Sequence, residues 1–333
     1  MAKPTWCATG SRTMPPWMDI GTGRRVVIVG ADGFIGSAVA GAALSAGAAV
    51  TAVCVKSPWR LQPLEGDPAL SIVPVPGGRW WTASFIRELQ GRLERADSMV
   101  LLAYQPPPSR AGAARHEHAV NLAGTVRWGR AASRATTPAV FTSSADVYGP
   151  WRQEPVDESA PPAPTTHYAV AKLEAEHRLL RLLGPSGLTV LRISTVFGPG
   201  EDRPRAIPAF IKAFLDREEP VLHRGGTDVR DYVNVDDVAA AIVNACLRRT
   251  EASTMNVGSG VGRSTRDVLD SVARVMGVEA EAGSERVAPP WSRLVLDAGL
   301  ARRELGFQPR SDFEGALLDE IRWLEERRTG VAA

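Results

Sequence analysis

The sequence predicts an α/β protein built on a doubly wound parallel sheet, followed by a smaller, mixed C-terminal subdomain. Three observations predict it. Short all-apolar stretches recur with amphipathic helical stretches between them, which is how a parallel sheet covered on both faces reads. The first of these stretches runs straight into a glycine-rich turn and a small-residue helix, "VVIVGADGFIGSAVA". After about Gly198 the alternation loosens into helices and shorter strands. The expected division is a loose arm over 1–24, a sheet domain over 25–198, and a subdomain over 199–327 from which some elements return to the sheet.

Each element follows from local composition. "VVIV" from Val26 is an apolar run closed by glycine, and the small residues from Phe34 to about Ala46 favour a close-packed helix. "AVTAVCV", "LSIVPV", "DSMVLLA", "AVFTSS" and "LTVLRIS" predict five more strands, the second of these five being the weakest. Stretches rich in Ala, Leu, Arg and Glu predict helices at 82–95, 114–134 and 165–183. Beyond Gly198 the pattern predicts helices near 206–217, 236–248, 264–276 and 312–327, with strands near 220–223 and 229–235.

The 333 residues suffice for one large domain or a large and a small one. With 44% hydrophobic and 23% charged residues, the composition is that of a soluble globular protein. A net charge of +2, with the arginines scattered, argues against nucleic acid and against a membrane surface as partners. Cys7, Cys54 and Cys246 lie too far apart for metal-ligand spacing, so no metal is expected and the thiols read as reduced. No apolar run nears the roughly twenty residues that span a bilayer. The first two dozen residues lack the apolar core of a signal peptide, so a cytoplasmic location is expected.

Gly30, Gly33 and Gly36 stand between the first strand and the first helix in the spacing G-x-x-G-x-x-G. One glycine permits the tight turn, one lets the backbone approach a pyrophosphate, and one lets helix pack on strand, with the helix N-terminus facing the anion. A purely structural glycine turn is the alternative. Where a dinucleotide binds, the second strand usually ends in an acid that bonds the adenosine ribose. Here it ends in Cys54, with Lys56 and Arg60 beyond. With no carboxylate to repel a 2′-phosphate and two cations to attract it, NADP(H) is the expected cofactor and NAD(H) the alternative. The two cations also read as ordinary solvated loop charges.

"THYAVAKLEAEH" sets Tyr168 four residues before Lys172, on one face of a predicted helix. A phenol with a pKa near 10 is a weak acid, and a neighbouring ammonium favours its ionised form. The pair reads either as a proton-transfer device or as two surface residues of an amphipathic helix, and spacing alone leaves both open.

The glycine loop, "FTSSADVYG" at 141–149 and "YAVAK" at 168–172 together resemble the extended short-chain dehydrogenase/reductase family, in the branch that modifies nucleotide sugars. "NLAGT" at 121–125, "LRISTVFGPG" at 191–200, "RDYVNVDDVA" at 230–239 and "LDAGLARRELGF" at 296–307 extend the resemblance from about Arg25 to about Leu324. It implies a Rossmann-type dinucleotide domain and a substrate-binding role for most of residues 199–327. By this resemblance Tyr168 is the acid/base toward a sugar hydroxyl or ketone. Lys172 lowers its pKa and holds the nicotinamide ribose, and Ser144 hydrogen-bonds the same substrate oxygen. Phe34, Ile35 and Ala103 join the three glycines, Lys56, Arg60, Tyr168 and Lys172 in the implied cofactor site. On the substrate side the resemblance implies Asn121 as a helix-bending residue (the alternative being a helix-packing polar residue), Ser144, Asp146 and Thr195. It adds two diphosphate contacts, Arg230, which otherwise reads as an ion pair with Asp231 or Asp236, and Arg293. It also implies a homodimer through the helices near 114–134 and 165–183.

Two departures from the family pattern bear on the reaction. Thr195 stands where many relatives carry an asparagine. Ser144, Ala145 and Asp146 replace the Thr-Asp-Glu triplet of the dehydratases, which removes the first of the two acids that eliminate water. The resulting expectation is NADPH-dependent reduction of a keto group on a nucleotide-linked deoxysugar of dTDP type. An NAD-dependent 4-epimerase is the alternative, ahead of a 4,6-dehydratase or a decarboxylase, since decarboxylating relatives keep an acid at the place of Asp146. A catalytically inactive dinucleotide sensor is disfavoured, because Ser144, Tyr168 and Lys172 are all present.

Overall fold

The computed structural model describes Met18 and residues 22–106, 110–150, 152, 155–248, 250–251, 253–280, 283–284, 292–310 and 312–330. The expected arm over 1–24 lies outside the described residues except for Met18, which is buried against the main core, and 22–24.

The first half of the chain runs β1 (Arg25–Val29), α1 (Phe34–Ser45), β2 (Ala49–Cys54), β3 (Leu70–Pro74), α2 (Ala83–Glu88), α3 (Gln90–Leu93), β4 (Ser98–Leu101), α4 (Ala113–His116), α5 (Ala123–Ala135), β5 (Ala139–Ser144), α6 (His167–Leu183) and β6 (Leu188–Ile193). There follow β7 (Thr195–Phe197), α7 (Ala206–Asp216), β8 (Val221–Leu222), β9 (Val229–Asn234), α8 (Val235–Leu247), β10 (Thr254–Val257), β11 (Gly262–Ser264), α9 (Thr265–Met276), β12 (Gly283–Ser284), β13 (Arg293–Leu294), α10 (Gly299–Leu305) and α11 (Phe313–Thr329).

The six expected strands and β10 form one parallel sheet in the order β10-β6-β5-β4-β1-β2-β3. This is a Rossmann-type fold: the chain winds outward from β1 to β3 and resumes at β4 on the other side. A topological switch point therefore opens between β1 and β4. The apolar runs of the central strands are buried on both faces, as a parallel sheet requires, while the edge strand β3 is only partly buried. Val26 and Ile28 pack with α1 and α8, while Val27 and Val29 pack with α5 and α6.

Three differences from the sequence reading have physical causes. β10 escapes periodicity because "TMNV" carries a buried asparagine. The Asn256 amide donates to the main-chain oxygens of Val156 and Asp297 and accepts from Tyr148. The helix expected over 82–95 divides at Leu89 into α2 and α3. The helix expected over 114–134 is interrupted by a π-helical turn at Glu117–Leu122, where Asn121 clamps the main chain of Gln105.

β9 is the centre of a second sheet, pairing with β11, β13 and β7. The helices α7, α9 and α11 close a separate core over it, around Phe197, Leu222 and Tyr232. Among the described residues no helix is long and apolar enough to cross a membrane.

Candidate active site

The glycine loop sits at the switch point. Gly30 has φ +93°, and a Cβ there would lie 2.8 Å from the main chain of Ala103, which follows β4. A Cβ on Gly36 would lie 2.0 Å from the Gly30 oxygen, so the start of α1 presses directly on the turn. Gly33 occupies the extended N-cap position, and no side chain caps α1. The first-turn N–H groups are thus left for an anion in a cradle that side chains would fill. Phe34 and Ile35 are partly buried against the core, and the Phe34 ring lies beside Gly200 in the loop after β7.

At the end of β2 one expectation is corrected. β2 does end in Cys54, whose thiol is pushed up to about 12 by burial and then by the charge of Asp32. A carboxylate nevertheless stands there, supplied by the glycine loop. Asp32 accepts from the Val55 N–H at 2.9 Å and the Lys56 N–H at 2.5 Å. Of the two cations expected to meet a 2′-phosphate, Lys56 is exposed and Arg60 is engaged. The Arg60 guanidinium pairs with Asp202 at 2.7 Å and donates to the main-chain oxygens of Gly200 and Asp32.

The α6 helix begins where Thr166, its N-cap, accepts from the Ala169 N–H. Tyr168 falls in the first turn and Lys172 one turn later. One turn further, Glu176 forms a buried pair with Arg192 of β6 and accepts from Ser143 of β5, which anchors the helix to the sheet. The Lys172 ammonium donates to the Thr142 oxygen at 2.7 Å and lies 5.7 Å from the centre of the Tyr168 ring. Burial pushes the Tyr168 phenol up to about 12, helped by the charge of Asp146 and opposed by a hydrogen bond with Ser144. Burial lowers Lys172 to about 8, against the charges of Glu117 and Glu176. Ser144, Tyr168 and Lys172 are therefore brought together, with Asp146 exposed beside them.

Two further residues belong to this site and were missed in sequence. Glu117 is 3% exposed and accepts from the Tyr104 hydroxyl at 2.6 Å and from the Asn121 amide at 2.9 Å. Tyr104 in turn stands edge-on to Tyr168, with ring centres 5.1 Å apart. Glu117 and Asn121 are four residues apart, a helical spacing open to inspection, but nothing local marks this carboxylate as buried. Asn121 spends its amide on Gln105 and Glu117, so it shapes the site from behind.

On the substrate side, register separates the expected contacts. Thr195 pairs with Tyr232, which places it on the same face of the second sheet as Arg230. Leu294, not Arg293, is in register with Arg230, so Arg293 falls on the opposite face. The structure does not bring Arg293 to the other two.

A parallel sheet of this order, a glycine turn at its switch point and a Ser–Tyr–Lys cluster beside it define an oxidoreductase of the extended short-chain dehydrogenase/reductase class. A model of the NAD dependent epimerase/dehydratase family matches residues 26–258, and the chain belongs to that family. It is 31% identical over 325 residues to a UDP-glucose 4-epimerase of Azospirillum brasilense, covering 90% of this chain and 91% of that one. It is 32% identical over 205 residues to a UDP-glucose 4-epimerase of Streptomyces lividans; this match takes in 55% of the chain and 61% of that protein's length. A solved dTDP-glucose 4,6-dehydratase double mutant from Streptomyces venezuelae, with NAD bound, is similar at a TM-score of 0.79 and 26% identity. That likeness covers 92% of this chain and 98% of the other.

Proposed function

We propose that this chain is an NAD-dependent epimerase of a nucleotide-linked hexose, which oxidises and re-reduces one sugar hydroxyl at Tyr168. The observation that carries this reading is the clasp made by Arg60. One guanidinium ties the glycine loop, through the Asp32 oxygen, to the loop after β7, through Gly200 and Asp202. Such a clasp suits a cofactor held through two half-reactions, and it takes away a cation that a 2′-phosphate would need.

The glycine loop and the start of α1 hold the pyrophosphate, and Lys172 holds the nicotinamide ribose. When bound, the cofactor supplies the hydride acceptor and donor. Tyr168 takes the hydroxyl proton as the sugar is oxidised and returns it as the ketone is reduced. Ser144 donates to the same oxygen and opposes the burial that raises the phenol's pKa. Arg230 and Thr195, on one face of the second sheet, receive the diphosphate. Ala145, in the place of an acid, argues against water elimination. The epimerase named in a relative that spans nine tenths of this chain supports the same reading.

The NADPH-dependent ketoreductase is the second reading, favoured by Lys56, which is exposed at the end of β2. One experiment separates the two. Purified enzyme is expected to carry NAD and to interconvert two UDP- or dTDP-hexoses with no net change in nicotinamide absorbance. Consumption of added NADPH, one-for-one with a keto sugar nucleotide, would replace the epimerase with the reductase. The proposal includes a homodimer through α5 and α6, the latter exposing Val170 and Leu180. Sedimentation as a monomer at micromolar concentration would count against the dimer.

A further inference from the structure

We infer that Asp32 selects the adenosine ribose of the cofactor, admitting a free 2′-hydroxyl and rejecting a 2′-phosphate. The inference rests on the reading of the glycine loop as a dinucleotide site. In a doubly wound fold the ribose lies at the carboxyl end of β2, where an acid accepts from its hydroxyls. In this chain the last residue of β2 cannot take that part. The Cys54 side chain is buried, and its thiol donates back to the Ala52 oxygen at 3.6 Å.

The carboxylate comes from the other wall of the same crevice. Oδ1 of Asp32 accepts from Val55 and Oδ2 from Lys56, the first two main-chain N–H groups beyond β2. Two bonds, one to each oxygen, fix the group's position and plane. Each oxygen keeps a second lone pair, so the pair can receive ribose hydroxyls. Asp32 is 5% exposed, so little water screens it. A 2′-phosphate dianion would meet this fixed negative charge at close range. The partly buried Arg60 does not offset that repulsion, because its guanidinium already faces Asp202.

The test is titration of the full chain, stripped of any copurified dinucleotide, with NADH and with NADPH. Asp32→Ser and Asp32→Asn are titrated alongside, with thermal melting as the control for folding. Wild type is expected to bind NADH at least about tenfold more tightly, and the preference should shrink about tenfold in a folded variant. Wild type binding NADPH as tightly as NADH overturns the inference, and so does an unchanged ratio in a folded variant. If neither variant folds, the wild-type ratio alone decides. Wild type binding neither dinucleotide is a different failure, that of the cofactor site itself, and the inference falls with it.

Discussion

The Lys172 ammonium donates to the main-chain oxygen of Thr142, two residues before Ser144 on the same strand. One strand end therefore registers both partners of Tyr168. β5 presents the Ser144 hydroxyl directly and holds, through Thr142, the cation that α6 places one turn beyond the phenol. The arrangement is rigid because Glu176 pins α6 to Arg192 and Ser143 with groups that are themselves buried. Removing any one partner should disturb chemistry more than folding.

Tyr168→Phe keeps the ring beside Tyr104 and deletes the hydroxyl proposed to carry the proton. Turnover should fall by roughly a hundred- to ten-thousand-fold, the span typical of a lost general acid–base. Nucleotide-sugar affinity should change little. Steady-state kinetics check both, and near wild-type turnover would remove Tyr168 from its role.

Glu117→Gln keeps the shape of the buried cluster and removes a negative charge that supports the Lys172 ammonium. Lys172 is lowered to about 8 in the native site, with Glu117 opposing that fall. Without Glu117 its pKa drops further. Activity that needs the ammonium is lost as pH rises through that pKa, so the alkaline limb of the pH–rate profile should move to lower pH. A limb that stays in place would show that Glu117 does not act on Lys172.

Gly36→Ala should abolish dinucleotide binding. Its Cβ would fall 2.0 Å from the Gly30 oxygen, a main-chain atom that cannot rotate away, so the loop must deform. Gly91→Ala is the control, since its Cβ would meet only the far end of the Arg95 side chain at 3.9 Å. Equal cofactor binding by the two variants would contradict the close packing of loop and helix.

Glu201→Gln tests a buried acid in the loop that Arg60 clasps. Burial pushes Glu201 up to about 7, against the opposing charges of Arg205 and Arg203. A folded-state pKa above the unfolded value means that the folded protein holds the proton longer. Glu201 therefore costs stability as pH rises from about 4.5 to about 7, and the cost persists above that. The variant should melt higher than wild type at pH ~8 and at the same temperature near pH ~4, below both values. Identical shifts at the two pH values would rule out this assignment.

The sequence by itself determined the parts of this protein that depend on neighbours along the chain. Six apolar runs spaced by helical stretches dictate a parallel sheet, because both faces of each strand must be buried. Gly30 and Gly36 announce the turn because a Cβ on either would strike main-chain atoms. The resemblance carried by "FTSSADVYG" and "YAVAK" implies Ser144, Tyr168 and Lys172 as one group, and the structure brings the three together. Tertiary structure alone decided the rest. Asp32 reaches the end of β2 from 23 residues away in sequence, where a local reading sees only Cys54 and two cations. Glu117 is a helix-surface carboxylate until α5, α6 and the segment after β4 enclose it. Arg230 and Arg293 look alike in sequence, yet the pairing of β13 with β9 sends them to opposite faces. A strand or a turn is specified by local sterics and burial, whereas the charge a ligand meets depends on which distant side chains the packed elements bring to one point.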